Sequence, residues 1–327
     1  MKTEDILHSL EHSPTTFPEE ALLAAIDNQT TITPLLLSLL NKVILDYREI
    51  SRDYFGHSYA LMLLAQFRCK EAFPIVLELC SLPDRYLSIL LNPGEIKTEK
   101  LHKIIASTFD GDIEAIYSII KNDNLGVWAR DACIRSLLCL CREQKIERTG
   151  IIAFFKYLFN GGLNSTDGFI LATTVTCACD LYAEELYEDI KEVFRTTKID
   201  CSIVDLRWVK NIFGIKKEAI LKKYFYNNKE YDCVCDAIQE LQWLKEEITE
   251  EIDWSSILRP LEPVNTSSSN KQLNIAELAK NPMVSITYQR TNKKVGRNEV
   301  CSCGSNKKFK KCCLLNKESK TITENVY

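Results

Sequence analysis

Four cysteines near one end of this 327-residue chain have the type and spacing of a metal shell. Cys301 and Cys303 form a C-x-C pair, an eight-residue spacer follows, and Cys312 and Cys313 stand side by side. Four thiolates arriving from two short segments complete a tetrahedral shell for Zn²⁺ and leave no open position. The chemistry implied is therefore structural. The spacer is basic, with Lys307, Lys308, Lys310 and Lys311 around a single large apolar residue, Phe309. So short a segment buries too little surface to fold alone, and a metal would have to hold it together.

Around these ligands the sequence runs Gly296-Arg297-Asn298, Cys301-Ser302-Cys303-Gly304-Ser305, Lys307-Lys308-Phe309-Lys310, then Cys312-Cys313. It resembles the SEC-C motif, the zinc-binding tail of the preprotein-translocase motor that also occurs on many unrelated bacterial proteins. The family usually has glycine where Asn306 stands; asparagine is the next most tolerant residue of a left-handed turn. Val300 and Ser302 replace frequent prolines, which removes no ligand, and Cys313 fits a fourth position that is Cys or His. The resemblance implies Zn²⁺ on the four thiolates, with contact charge from Arg297, Lys307, Lys308, Lys310 and Lys311. Phe309 would supply a stacking face or the mini-core of the module. The targets implied are a SecB-like chaperone, the translocase, the ribosome or anionic lipid.

Charge is unevenly divided. From Arg290 onward there are ten Lys or Arg and three Glu, giving +7, so the net −4 of the chain leaves −11 for the first 289 residues. Zinc on four thiolates would bring the tail to about +5. One reading is a solvated, lysine-rich tail; the other is a docking knob for an acidic protein, RNA or anionic lipid. Lysines interleaved with an aromatic also suit RNA.

Hydrophobic content of 46% with 26% charged residues is that of an ordinary globular chain, and no apolar run approaches membrane-spanning length. The start lacks an apolar signal core, so the fourteen cysteines are expected to remain thiols or bind metal in a reducing cytoplasm. No G-x-x-x-x-G-K-[ST] loop, G-x-G-x-x-G, G-x-S-x-G or H-E-x-x-H occurs, and nothing in the chain specifies an enzyme.

The elements that must carry the cysteine segment are helices. Ile113, Ile116, Tyr117 and Ile120 follow i, i+3, i+4, i+7 behind a capping Asp112, and Ala72, Ile75, Val76 and Leu79 repeat the spacing. Thr33-Pro34 reads as an N-cap followed by the first helical position, opening a helix over 35–44. Residues 59–65 are apolar all round, as in an inner helix. Helices pair as 58–67 with 72–80, 101–109 with 112–121, 132–141 with 150–158, and 172–182 with 186–194. First helices recur roughly every 30 to 45 residues, the period range of HEAT-like repeats. The expected fold is all-α: a HEAT-like helical-hairpin solenoid with a small C-terminal zinc-binding module, an irregular bundle being the competing arrangement.

Cys139/Cys141, Cys177/Cys179 and Cys233/Cys235 each lie two apart in apparent helices, point about 200° apart, and read as small core residues. His8 and His12 share a face of a first helix that reads as solvated. His57 opens the apolar helix at a packing position, His102 reads as surface, and Glu184, Glu185, Glu188 and Asp189 read as a solvated face.

The stretches Phe17-Pro18-Glu19-Glu20-Ala21-Leu22, His57-Ser58-Tyr59-Ala60, Ala72-Phe73-Pro74 and Gly94-Glu95-Ile96-Lys97-Thr98-Glu99 are similar to a bacterial helical-repeat family of unknown function that often ends in a SEC-C tail. The expected organisation is a repeat domain over 1–258, a Ser/Asn-rich linker over 259–289 with a short helical stretch at 275–280, the motif over 290–316 and a tail over 317–327. The expected function is that of a non-enzymatic adaptor. An enzyme or effector with its active site on the solenoid's concave face, and an RNA-binding tail, are the alternatives.

Overall fold

A computed structural model describes residues 1–11, 17–50, 54–91, 96–163, 168–197, 199–244, 298 and 307–311. Helix dominates, and no strand occurs among the described residues. In chain order the helices are α1 (Thr3–Glu11), α2 (Glu19–Asp27), α3 (Gln29–Leu45), α4 (Gly56–Gln66), α5 (Ala72–Cys80), α6 (Asp84–Leu90), α7 (Leu101–Thr108) and α8 (Ile113–Lys121). They continue as α9 (Val127–Arg142), α10 (Arg148–Tyr157), α11 (Gly168–Asp180), α12 (Tyr187–Thr196), α13 (Leu206–Phe213), α14 (Lys217–Ile220) and α15 (Ala237–Glu240).

Helices occur over all eight stretches expected to pair, as α4, α5, α7, α8, α9, α10, α11 and α12, but their main contacts run α4 to α7, α7 to α9, α8 to α9 and α9 to α11 rather than within the expected pairs. The Asp112 side chain accepts a bond from the Ala115 N–H at 3.2 Å and so caps α8, whose Ile116 and Ile120 are fully buried. All of 56–65 is buried in α4, as an apolar surround demands. Gly56 opens that helix because a Cβ there would meet Tyr54 Oη at 2.8 Å and Leu39 Cδ1 at 3.3 Å. The start of α3 corrects the sequence expectation. It begins at Gln29, and Pro34 lies inside it. Thr33 does not cap; its hydroxyl donates to Gln29 O at 2.7 Å. Pro34 is exposed and forgoes only the one helical bond its missing N–H would make.

Helices α4, α7, α9 and α11 pack in succession, and α13 follows against α11, while α5 contacts α8 beside them. Three of these inner helices end alike. Arg68, Gln144 and Tyr182 have φ of 55°, 56° and 47°. The next N–H in each case reaches back five residues: Cys69 to Leu64 O at 3.1 Å, Lys145 to Leu140 O at 2.9 Å, Ala183 to Ala178 O at 2.8 Å. These are Schellman ends built without glycine. Gln144 and Tyr182 stand 38 residues apart, and Arg68 and Gln144 stand 76 apart, twice that interval. The end of α7 falls between and turns differently, with Gly111 at φ 122°.

α14 runs on into a wider helical turn over Leu221–Tyr226, and from there to 244 the described chain is largely irregular where helical periodicity was expected. Residues 225–244 form a strap with two short turns, α15 and Lys229–Tyr231. It lies across the inner row: α15 contacts α4, and the Lys229–Tyr231 turn contacts α9. Tyr231, Cys233, Val234, Ala237, Leu241 and Leu244 are buried beneath it. Cys233 and Cys235 therefore belong to irregular chain rather than to a helix, and Cys235 is exposed. The linker over 259–289, its stretch at 275–280 and the tail over 317–327 lie outside the described residues.

Candidate functional site

Within the basic spacer, the Lys311 N–H bonds Lys308 O at 2.8 Å and closes a tight turn over Phe309–Lys311. Three residues per turn put Lys308 and Lys311 on the same side. Both are exposed, as is Lys307, and Lys310 is half-buried. The cations that the sequence nominates are thus displayed on one compact turn immediately before Cys312. Arg297 and the expected ligands Cys301, Cys303, Cys312 and Cys313 lie outside the described residues. Their chemistry fits Zn²⁺: four soft, anionic donors of one type, with no competing hard ligand between them.

In the body, Cys139, Cys177, Cys179 and Cys233 are free and buried, as their reading as core residues requires, whereas Cys141 is half-buried and Cys235 exposed; Cys69, Cys80 and Cys133 are free and buried as well. Burial pushes the Cys80 thiol up to about 12, and such thiols are inert. No group of three or more His, Cys, Asp or Glu with metal-site geometry occurs among the described residues. His57 is buried, with Nε2 donating to Leu90 O and its ring stacked on Tyr54 at 5.8 Å; burial lowers it to about 4. It occupies the packing position expected of it. His12 lies outside the described residues.

His102 is a correction. It is 1% exposed, because the strap covers it. Its Nε2–H donates to Glu230 O at 2.8 Å, and burial together with Arg135, Lys103 and Lys100 holds it neutral, well below its ordinary value.

His102 is one member of a polar surface that sequence reasoning missed. The inner row presents Lys100 just before α7, Lys103 on α7, and Arg135 and Arg142 on α9. Lys100 and Lys103 grip both oxygens of Glu240 at 2.7 and 2.9 Å. Burial pushes that carboxyl up, but the two ammonium groups outweigh it and hold it below its ordinary value. Arg135 pairs with Glu230, with Asp131 at 3.5 Å and with Thr98 O at 2.7 Å. Arg142 pairs with Asp232 at 2.6 Å and donates to Asn228 O at 2.6 Å and Phe225 O at 3.2 Å.

The strap's own donors are received as well. The Val234 N–H bonds Ser107 Oγ at 2.9 Å, and the Ala237 N–H bonds Gln66 Oε1 at 2.7 Å. The Tyr231 hydroxyl donates to Asp180 Oδ2 at 2.6 Å; burial still pushes Asp180 up to about 7 against the pull of Tyr231 and Arg135. No sequence signal marks this surface as paired, because each partner lies far along the chain.

Residues 297–315 match the SEC-C motif. A stretch of 92 residues is 36% identical to the protein translocase subunit SecA of Syntrophus aciditrophicus, covering 28% of this chain and 11% of that protein. Over 251 residues the chain is 32% identical to proteins described as uncharacterized from Chlamydia muridarum and Chlamydia trachomatis, covering 75% of this chain and 98% and 97% of theirs. No solved structure matches it. Residues 1–247 match the family described as "Protein of unknown function (DUF1186)", and the chain belongs to that family, with a SEC-C motif beyond it.

Proposed function

We propose that the protein is a cytoplasmic, non-enzymatic adaptor. Its helical body offers a partner-binding surface, and the SEC-C segment is a zinc-stabilised basic tip that docks on a second target. The observation that carries this reading is the pairing of a DUF1186 body with a SEC-C motif in which Lys307, Lys308 and Lys311 stand exposed around one tight turn. Cys301, Cys303, Cys312 and Cys313 hold the zinc; Arg297, Lys307, Lys308, Lys310, Lys311 and Phe309 face the target. The body is a HEAT-like solenoid, a reading supported by the succession of inner helices and by the left-handed turn that ends three of them at 38-residue multiples. No helix among the described residues is long and apolar enough to cross a membrane.

The SecA likeness, confined to a fraction of that protein, favours a chaperone, the translocase, the ribosome or anionic lipid as the target of the tip. Metal analysis of purified protein should find about one zinc per chain, lost in a Cys301→Ser/Cys303→Ser variant. That variant, and one with Lys307, Lys308, Lys310 and Lys311 replaced by Gln, should no longer retain ribosomes, SecB-like chaperone or anionic vesicles. Chelation should leave the melting temperature of the body unchanged, because the tip brings few apolar residues to pack on it. Metal-free protein, or lysine-neutralised protein that binds as well as wild type, would defeat the reading.

A further inference from the structure

We infer that the inner row of helices is a recognition surface for an extended acidic peptide, and that residues 225–244 occupy it in cis as a built-in pseudo-ligand. The inference deepens the adaptor reading by naming the partner chemistry of the body, and it rests on that reading.

Three observations point to a peptide ligand. The first is an asymmetry of charge and cover. The cations Lys100, Lys103, Arg135 and Arg142 belong to the row and are largely covered, Lys103 being 9% exposed. Their acidic partners belong to the strap: Glu230 and Asp232, which pair with the two arginines, are each 42% exposed, and Glu240, held by both lysines, is 18% exposed. The row is the receptor side of the contact and the strap is the ligand side. A strap that left would uncover a stripe of cations with reduced pairing, a surface complementary to a partner carrying carboxylates.

The second observation is that the row reads backbone. Arg142 takes two strap carbonyls, while Gln66 and Ser107 accept strap N–H groups at 2.7 and 2.9 Å. A nucleic acid has no amide N–H in that register, so these acceptors favour a polypeptide over RNA. The third is spacing. Tyr231, Val234, Ala237, Leu241 and Leu244 are buried three or four residues apart along the strap. The partner segment is therefore acidic, with apolar anchors at that interval. Docking in cis supplies a high effective concentration, so a partner peptide meets a surface competent only in the fraction of molecules whose strap is open.

The test uses the full chain and a labelled peptide of residues 226–244. Wild type is compared with a Glu230→Gln/Asp232→Asn/Glu240→Gln variant, whose strap keeps its apolar anchors and backbone bonds but loses the three carboxylates that pair with the row. The labelled peptide should bind the variant at least about tenfold more tightly than wild type, since removing charge from the cis ligand raises the open fraction. A peptide carrying the same three neutral residues should not bind. Single-stranded RNA should not displace the acidic peptide. Equal binding to wild type and variant, no binding to the folded variant, or equal binding of the neutral peptide would overturn the inference. Displacement by RNA at matching concentration would assign the surface to nucleic acid instead.

Hydrogen exchange on wild type decides the matter without any variant. The amides of Val234 and Ala237 should exchange through a partial opening that leaves α7 and α9 protected. Exchange only with global unfolding would make the strap ordinary core and end the proposal. None of these measurements touches the cysteine tip, so the tip can fail while the strap stands, and the reverse.

Discussion

Helices α4 and α9 occupy equivalent places in the row and end in the same left-handed turn, yet they are buried by different means. Around α4 the cover is apolar: Tyr59, Ala60, Leu61, Met62, Leu63 and Leu64 are all within 1% of complete burial. Around α9 the buried set includes Asp131, Ser136 and Arg130, the last donating to Ile120 O at 3.0 Å. Apolar packing is non-directional and sets how stable the row is. Buried ions and donors repay their desolvation only in one geometry, so they set where the strap lies rather than how much stability it adds.

The largest way to break this contrast is at α4. Leu63→Ala should lower unfolding stability by about 2–5 kcal/mol, measured by urea denaturation, because it removes a fully buried side chain from a row with little room to relax. A loss below about 1 kcal/mol would show that α4 repacks and that the contrast with α9 is overstated.

A smaller and pH-dependent effect is expected under the strap. Tyr231→Phe removes the hydroxyl that Asp180 accepts and should cost about 1–3 kcal/mol. Asp180 sits at about 7 when folded, above the ordinary value of about 3.9. Its contribution to stability is therefore complete below pH 4 and is lost as pH rises through 7, with a slope of at most about 1.4 kcal/mol per pH unit. Losing the Tyr231 donor penalises only the ionised form, so the substitution should cost more at pH 8 than at pH 5. Asp180→Asn should flatten the same window. His57 and His102 work in the opposite sense, favouring the folded state less as pH falls below about 6.5. They are common to all three proteins and cancel in the comparison. A Tyr231→Phe cost that is equal at both pH values would mean that Asp180 is ionised, or neutral, throughout.

What was legible in the sequence follows the same division. Local signals are written in neighbouring residues, so Ile113, Ile116 and Ile120 with Asp112 located α8, and the apolar run of α4 announced its burial. The core cysteines of α9 and α11 were readable for the same reason. His102 was read as surface because the carbonyl that covers it, Glu230 O, is 128 residues away in the chain. Lys100 and Lys103 look like any solvated lysines until Glu240 is seen between them. Pro34 misled because its ring fits the exposed side of a helix already under way. The SEC-C motif is the opposite case: its cysteines and turn residues lie close together in sequence, and the motif is readable without a fold.

The smallest effect bears on the proposed repeat. Its period was legible only as roughly 30 to 45 residues, because the residues at the three helix ends are Arg68, Gln144 and Tyr182, with nothing in common but their backbone. Two of them have side-chain partners that explain their presence. Arg68 reaches Cys235 Sγ at 4.0 Å, and the Tyr182 hydroxyl shares its one proton between Phe213 O and Ile215 O at 3.0 and 2.9 Å. Gln144 is exposed at φ 56°, where a Cβ costs roughly 1 kcal/mol that glycine does not incur. Gln144→Gly gives back part of that gain through the greater freedom of glycine in the unfolded chain. The net expectation is a stabilisation of about 0.5–1 kcal/mol in urea denaturation, while Tyr182→Gly, in the same backbone conformation, should destabilise by losing the shared hydroxyl hydrogen bond and a buried ring. Opposite signs at two positions 38 residues apart would separate the cost of the shared turn from the worth of what each repeat attaches to it. A loss at Gln144→Gly would place that residue in contacts beyond its own turn, and the equivalence of α9 with α11 would have to rest on packing alone.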